Sequence, residues 1–309
     1  MSLLSADGPG THEGSTRRAE LQLSGGMERS AATHQMQRPR TVPKHSSHKP
    51  TAAALAEQST ELRELILEVA HRAHVGHIAS CLSIVDILTA VFAVLEVDDD
   101  TFILSKGHAG LALYAALYQH GCITHDALFS YCRDDSVLAV HPGHRIPGVQ
   151  FTTGSLGYGL GFAAGVSLAR RITRAPGRCV ALLSDAELNE GSVWEAIMFA
   201  GHRRLPLTAI VDANGRQAMG TTDSVLDLEP LAPKFAAFGW DVHEIDGHDP
   251  NALMMELTVA ADSRPSAIIA RTVSGRGVQF MEGRVEWHYW PLSDSQYAEA
   301  RREVRPPQP

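Results

Sequence analysis

From Ser59 onward, apolar side chains recur along the chain in two patterns, one at helical spacing and one in short unbroken runs. The first helical pattern predicts a helix that ends at Gly76. A second helix is predicted to run through Val94, and Ser83, followed by Asp86 three positions later, predicts a capping box at its start. The positions that define the first helix are Leu62, Leu65, Ile66, Val69 and Ala73.

Predicted helices and strands then alternate along the rest of the body. Helices are predicted over Ala109–His120, Gly157–Ile172, Gly191–Arg204 and Asp249–Ser263, the last with Asp249-Pro250 as its N-cap and first turn. Strands are predicted over Phe102–Ser105, Cys179–Ser184, Leu207–Val211, Trp240–Ile245 and Ser266–Val273. Because parallel strands are joined by crossovers that are usually helical, this alternation predicts an α/β fold with a mostly parallel sheet and helices on both faces.

The two ends of the chain lack either pattern. Residues 1–55 are rich in small and polar side chains and are predicted to be a disordered N-terminal extension, either a solvated segment or an arm that docks on a partner. Residues 301–309 are predicted to be a disordered tail. A single domain over residues 56–300 is therefore expected.

Composition narrows the class of protein. The 309 residues carry a formal charge of −8, and the first fifty residues are net basic, so the body is acidic and is not expected to bind nucleic acid. No apolar run approaches the ~20 residues of a membrane span, and the N-terminus does not resemble a signal peptide. The four cysteines lie far apart without a CxxC pair, which disfavours structural zinc and disulfides and indicates a reducing cytoplasm.

Two oxygen-bearing side chains follow successive predicted strands. Asp185 comes at the end of one strand and Asn214 at the end of the next, with a predicted helix between them. Because neighbouring parallel strands end at the same edge of a sheet, these side chains are expected to form a cradle for a small divalent cation and the phosphates it neutralises. The backbone carbonyl of Arg216 is the expected third ligand from the protein.

A glycine-containing turn, Gly154-Ser155-Leu156-Gly157, precedes a long predicted helix. Small residues let a phosphorylated ligand approach the backbone, and a helix N-terminus favours its negative charge. This turn is therefore a candidate binding site for a diphosphate.

Four histidines lie in or beside glycine-containing loops: His77, His108, His141 and His288. Imidazole titrates near neutral pH, so a group of histidines in loops suits proton transfer and hydrogen bonding to a sugar-like substrate. His144 lies in the same loop as His141 and is the alternative candidate for the functional histidine there. The other histidines of the body, His248 among them, have no assigned role.

These motifs, read together over residues 60–300, resemble the N-terminal, diphosphate-binding domain of transketolases, especially the split kind encoded as two short chains. The segments that carry the resemblance are HPGHRIPGVQFTTGSLG, LSKGHAG, SDAELNEGSVW, VDANGRQ and VEWH. The resemblance implies a thiamine diphosphate-binding fold, with thiamine diphosphate and Mg²⁺, or Ca²⁺ or Mn²⁺ in its place, as cofactors.

The resemblance also implies roles for individual residues. His77, His108, His141 and His288 would contact substrate hydroxyls or assist proton transfer, and Glu190 would lie at a subunit interface in a proton relay between two active sites. Asp185, Asn214 and Arg216 would bind the metal. The remaining cofactor contacts would come from Gly154, Ser155, Leu156, Gly157, Ala186 and Glu187, together with Asp185 and Asn214.

Three departures from the family pattern stand out. The usual GDG is Ser184-Asp185-Ala186, and Tyr158 stands where glutamine is common. Tyr289-Trp290 comes directly after His288, at a place where small or basic residues are usual. This last departure is expected to reshape the mouth of the substrate channel.

In the resembling family, the glutamate that activates the cofactor lies in a second, pyrimidine-binding domain. This chain ends before such a domain, so the resemblance implies the α-type subunit of a two-component enzyme. The expected partner is a separate pyrimidine-binding subunit that corresponds to the C-terminal half of a transketolase, in an α2β2 assembly.

The leading hypothesis is transfer of a two-carbon ketol unit from a ketose-type donor to an aldehyde acceptor. The alternatives are two-carbon transfer to a carrier-bound acceptor, a 2-oxoacid dehydrogenase-like subunit, and a non-catalytic paralogue that acts as a scaffold. A dinucleotide-binding enzyme is disfavoured, because no G-x-G-x-x-G motif follows a predicted strand.

Overall fold

A computed structural model describes residues 50–96, 98–259 and 264–305. Within these residues, one parallel sheet contains the strands β1 Thr101–Leu104, β2 Cys179–Ser184, β3 Thr208–Ala213, β6 Asp241–Asp246 and β7 Ser266–Arg271. Their order across the sheet is β1-β2-β3-β7-β6. Every predicted strand is present, with its ends shifted by a residue or two at most. A short antiparallel hairpin adds β4 Arg216–Gln217 and β5 Gly220–Thr221.

Helices cover the sheet, and the long ones in the middle of the chain are those that the apolar periodicity predicts. Several short helices were not predicted, nor was the last helix, which begins at Asp294. Ser293 and Gln296 form a capping box at its start, and this serine–glutamine spacing is visible in the sequence. Among the described residues, none of the helices combines the length and apolar character that crossing a membrane requires. The helices are α1 Ala52–Ala73, α2 Ile78–Leu82, α3 Val85–Val94, α4 Gly110–Gln119, α5 His125–Leu128, α6 Gly159–Thr173, α7 Gly191–Arg203, α8 Thr222–Leu226, α9 Leu231–Ala237, α10 Pro250–Val259 and α11 Asp294–Val304.

Both faces of the sheet are buried. Side chains alternate along β2, where Val180 and Leu182 join the core on the side of α1, α3 and α4, while Ala181 and Leu183 join the core on the side of α6 and α7. A strand that is buried on both faces needs an unbroken apolar run, which explains why the sequence pattern identified these strands. The prediction of a parallel sheet with helices on both faces is confirmed.

The ends of the domain differ from those predicted. Helix α1 begins at Ala52, capped by Thr51, so the predicted boundary at residues 55 and 56 falls inside this helix. Its C-cap is His74, in the left-handed region (φ 53°), rather than Gly76. The predicted boundary at residues 300 and 301 likewise falls inside α11. Residues 1–49 and 306–309 lie outside the described residues, so the predicted disorder there stays a prediction, and the predicted end of a helix at Ser263 stays one too because residues 260–263 also lie outside them.

The predicted capping box at Ser83 and Asp86 is wrong. Helix α3 begins at Val85 without a side-chain cap, and the Ser83 hydroxyl donates to Asp212 Oδ2 at 2.8 Å. Asp86 Oδ2 accepts from Arg63 at 2.5 Å and lies 2.9 Å from His248 Nδ1. Buried partners that are distant in sequence compete successfully with the local cap, because a buried carboxylate needs charged or polar donors.

Candidate active site

A cleft of about 310 Å³ opens at the carboxyl edge of the sheet. The register of the strands brings the end of β2 beside the end of β3, with Ser184 opposite Asp212. Ligand sites in parallel sheets form at this edge, where loops from several strands converge. The lining residues used below are Lys106 and His108 after β1, Ala186 and Glu190 after β2, Asn214 and Arg216 after β3, and Gly154, Leu156, His288 and Tyr289 from other loops.

The predicted metal-binding residues lie together at this edge. Asp185 is 8% exposed, and its carboxylate accepts hydrogen bonds from Ala186 N at 2.8 Å and Gly215 N at 2.6 Å. Asn214 Nδ2 donates to Asp212 Oδ2 at 2.9 Å, and Asn214 Oδ1 accepts from Arg216 N at 2.9 Å. The Gly215–Asp185 hydrogen bond thus ties together the loops that follow β2 and β3.

This arrangement fits a divalent cation. Burial, and secondarily the charge of Asp212, raises the pKa of Asp185 to about 7, so the carboxylate lacks a compensating positive charge that a cation would supply. Among the described residues, no group of three or more His, Cys, Asp or Glu side chains forms a metal site. A cation here would therefore need oxygens from an amide, a carbonyl and a bound ligand, which is the ligand set that Mg²⁺ favours with phosphates.

A buried ion pair supports the floor of the cleft. Lys106 Nζ lies 2.5 Å from Asp212 Oδ2, and the two side chains are 1% and 0% exposed. Asp212 also accepts hydrogen bonds from Ser83, Asn214 and Thr272, so it connects segments from four parts of the chain. Neither Lys106 nor Asp212 was predicted as a site residue, although both stand inside the motifs LSKGHAG and VDANGRQ.

Three of the four predicted histidines form a cluster. The ring centroids of His77, His108 and His288 are 5.0 to 5.6 Å apart. Burial is the main cause that lowers the pKa of each imidazole, to about 4 for His288 and well below the ordinary value for His108, and the charge of Lys106 contributes at all three. Neutral imidazoles each offer one donor and one acceptor, which suits a ligand with hydroxyl groups.

His141 lies apart from this cluster. It is exposed at the rim, where its ring approaches Gly154, and a Cβ atom added to Gly154 would lie 3.4 Å from it. His144, the alternative in the same loop, contacts Thr152 Oγ1 through Nδ1 at 2.9 Å. The two histidines therefore have different surroundings, and His141 is the one that faces the glycine turn.

The glycine turn borders the cleft, although α6 begins two residues later, at Gly159. Gly154 and Leu156 line the cleft, while Ser155 is exposed. Gly157 has a φ of 89°, and a Cβ atom there would lie 2.9 Å from Glu190 Cβ. Only glycine satisfies both the backbone conformation and this close approach.

Two acidic residues after β2 have different environments. Glu190 lines the cleft and is exposed in the single chain. Glu187 was predicted to contact the cofactor, but it is 0% exposed, and its Oε1 accepts from Ser105 Oγ at 2.5 Å and Gly157 N at 2.8 Å. Its carboxylate accepts hydrogen bonds from protein donors, and the contact of Glu187 with the cofactor stays a prediction.

Acid is expected to destabilise the chain partly through His288. Folded His288 has a pKa of about 4, whereas an unfolded histidine takes up its proton near 6.5, so the unfolded state binds more protons between these values. The free energy of unfolding should therefore fall as the pH falls through this window. His288→Asn should flatten that slope in urea unfolding measured at a series of pH values, and the exposed His202→Asn should not. An unchanged slope in His288→Asn would contradict the prediction.

A family model and the related proteins to which the chain is similar all belong to one enzyme family. The chain matches a family model described as transketolase, thiamine diphosphate binding domain, over residues 56–305. It is 34% identical over 259 residues to one of the subunits of the apulose-4-phosphate transketolase of Phocaeicola vulgatus, covering 80% of this chain and 92% of the relative. It is 37% identical over 263 residues to the 6-deoxy-6-sulfo-D-fructose transketolase subunit SqwG of Clostridium sp., covering 81% of this chain and 96% of the relative.

A solved structure shows the same fold. The transketolase of Campylobacter jejuni superposes with a TM-score of 0.76 at 27% identity, over 81% of this chain and 42% of that chain. The chain therefore spans less than half of this solved transketolase, but matches nearly the whole length of the two related subunits.

Proposed function

Since this chain belongs to the transketolase family, as a thiamine diphosphate-binding domain, we propose that it is the α-type subunit of a heteromeric transketolase-like enzyme. The enzyme transfers a two-carbon ketol unit from a ketose-type donor to an aldehyde acceptor. The observation that carries this proposal is that Asn214 lines the same cleft as His108 and His288, while Asp185 lies in an adjoining cavity that Asn214 also lines.

The cofactor would be held by its diphosphate. Asp185, the side-chain oxygen of Asn214 and the carbonyl of Arg216 would bind Mg²⁺, with Ca²⁺ or Mn²⁺ as substitutes, and the turn from Gly154 to Gly157 would receive the phosphates. Thiamine diphosphate, when bound, supplies the nucleophilic carbon that carries the two-carbon unit. The protein itself binds and orients this group.

The histidines would act on the substrate. Because burial keeps His77, His108 and His288 neutral near pH 7, each can accept a proton from a substrate hydroxyl or donate a hydrogen bond to its oxygen. His77 Nδ1 is buried without a hydrogen-bond partner in the described part of the chain, so no protein group there competes for this atom. His141 would assist from the rim.

The partner would be a separate pyrimidine-binding subunit, in an α2β2 assembly. The relatives from Phocaeicola vulgatus and Clostridium sp. are single subunits of their transketolases, which supports a second component. Glu190 at the cleft and Tyr158 beside it, which is 61% exposed, are available to a partner surface. The four cysteines lie far apart in the sequence without a CxxC pair, which supports a cytoplasmic location.

One observation favours a different acceptor. Tyr289 lines the cleft and is 60% exposed, and Trp290 beside it is 56% exposed. Two aromatic rings at this position offer a larger apolar contact than a small sugar needs. A carrier-bound acceptor is therefore the second candidate for the same two-carbon transfer.

The test is to purify the chain and a candidate pyrimidine-binding subunit separately and then mix them. Mg²⁺-dependent binding of thiamine diphosphate and ketol transfer are expected in the mixture, and efficient transfer by this chain alone would contradict the two-component proposal. A stable complex that neither binds the cofactor nor transfers ketol units would indicate a scaffold. A screen of free and carrier-bound aldehydes as substrates of the active mixture would show which of the two candidate acceptors the enzyme uses.

A further inference from the structure

Ser184 and Glu187 form a reciprocal pair of hydrogen bonds around Asp185. Glu187 N donates to Ser184 Oγ at 3.1 Å, and Ser184 N donates to Glu187 Oε2 at 3.4 Å. This is the geometry of a capping box, with serine at the first position and glutamate three residues later. The Asp185 backbone lies between the two ends of the box.

The capping box is also hydrogen-bonded to the glycine turn, through Glu187. The second oxygen of Glu187, Oε1, accepts from Gly157 N at 2.8 Å and from Ser105 Oγ at 2.5 Å. Ser184 is 4% exposed and Glu187 0% exposed, so these hydrogen bonds are shielded from water. One buried carboxylate therefore links the loop that carries Asp185 to the turn that would receive the diphosphate.

We propose that Ser184 and Glu187 are positioning residues that hold the cation-binding carboxylate and the diphosphate-binding turn at a set separation before the cofactor binds. The inference rests on the proposed function of the cleft. The serine replaces the glycine of the usual GDG pattern, and a glycine has no side chain that could accept the Glu187 N–H. This departure therefore builds a support for the site rather than weakening it.

The chemistry of Glu187 makes the proposal specific. Its carboxylate oxygens accept from the N–H groups of Gly157 and Ser184 and from the hydroxyl group of Ser105, so both oxygens serve as acceptors. A glutamine has one acceptor oxygen and one NH2 group, which must face at least one of these donors. Glu187→Gln is nearly equal in size but cannot keep every hydrogen bond.

The first readout needs no cofactor. Amide hydrogen exchange in the full chain should accelerate at Glu187 in Ser184→Ala, by about fivefold or more for the loss of a cap. In Glu187→Gln it should accelerate at Ser184 or at Gly157, because the NH2 group must face one of these two donors. Ser184→Thr, which keeps a γ-hydroxyl, should restore protection at Glu187. Unchanged exchange at all three amides would overturn the proposal.

The second readout is the Mg²⁺-dependent affinity for thiamine diphosphate in the chain mixed with its partner subunit. Ser184→Ala is expected to weaken binding about fivefold and Glu187→Gln about tenfold or more, since hydrogen bonds to a buried charge are lost. Ser167→Ala is the matched control, because the buried Ser167 hydroxyl donates to Pro206 O at 2.9 Å, away from the cleft.

The outcomes of these two measurements distinguish a failure of the proposed function from a failure of the positioning role. If the wild-type mixture does not bind the cofactor, the proposed function fails, whereas the exchange data still test the hydrogen bonds. If the wild type binds and Ser184→Ala binds equally well, the positioning role fails. Equal losses of affinity in Ser167→Ala and Ser184→Ala would also overturn it, because a general loss of stability would explain both.

Discussion

Asp185→Asn is expected to abolish Mg²⁺-dependent binding of thiamine diphosphate, with a loss of affinity of about 100-fold or more, since outer-shell changes alone cost roughly 10- to 100-fold at metal sites. Asparagine preserves the volume of the side chain but removes the negative charge that a hard cation requires. Isothermal calorimetry on the chain mixed with its partner subunit measures this loss. Asp126→Asn is the control, because Asp126 is fully exposed in the first turn of α5 and lines neither the cleft nor the cavity beside Asp185.

The same variant should change the pH dependence of stability in the absence of the cofactor. The pKa of Asp185 is raised from 3.8 to about 7 in the folded chain, so ionised Asp185 favours the unfolded state as the pH rises through this window. Asparagine does not ionise. Urea unfolding at a series of pH values should therefore show that the wild type loses stability relative to the variant as the pH rises from about 4 to 7, and equal cofactor binding by the variant and the wild type would contradict the assignment of Asp185.

Lys106→Met is expected to lower the free energy of unfolding by about 3–5 kcal/mol, because it leaves a buried carboxylate without its charged partner. Asp212 is 0% exposed, so water cannot replace the lost ammonium group. Urea unfolding of the chain measures the change. Lys234→Met is the matched control, since Lys234 Nζ donates to backbone carbonyls, Leu228 O among them, rather than to a carboxylate.

A second measurement identifies the electrostatic part of this effect. The charge of Lys106 helps to lower the pKa of His288, so Lys106→Met should raise that pKa from about 4 towards 6.5 in an NMR titration. The double variant Lys106→Met/Asp212→Asn should recover part of the lost stability, because no unpaired charge is then buried. A loss of stability no larger than that of Lys234→Met would contradict the role of the ion pair.

Much of the candidate site could be predicted from local sequence. Asp185 and Asn214 were identifiable because each lies at or just after the end of a predicted strand, and parallel strands end at one edge of a sheet. The histidines were identifiable because they stand in glycine-containing loops. The partners of Glu187 could not be predicted in this way, since its position in the motif does not reveal that its carboxylate accepts from Ser105 and Gly157.

The sequence by itself determined the alternation of helices and strands, because burial on both faces of the sheet requires unbroken apolar runs and burial on one face of a helix requires helical spacing. Only the tertiary structure decided the partners of the buried polar side chains. Lys106 and Asp212 are 106 positions apart, and Asp86 and His248 are 162 apart. Such pairs leave no local pattern, because the low polarity that makes each partner necessary exists only after the chain has folded.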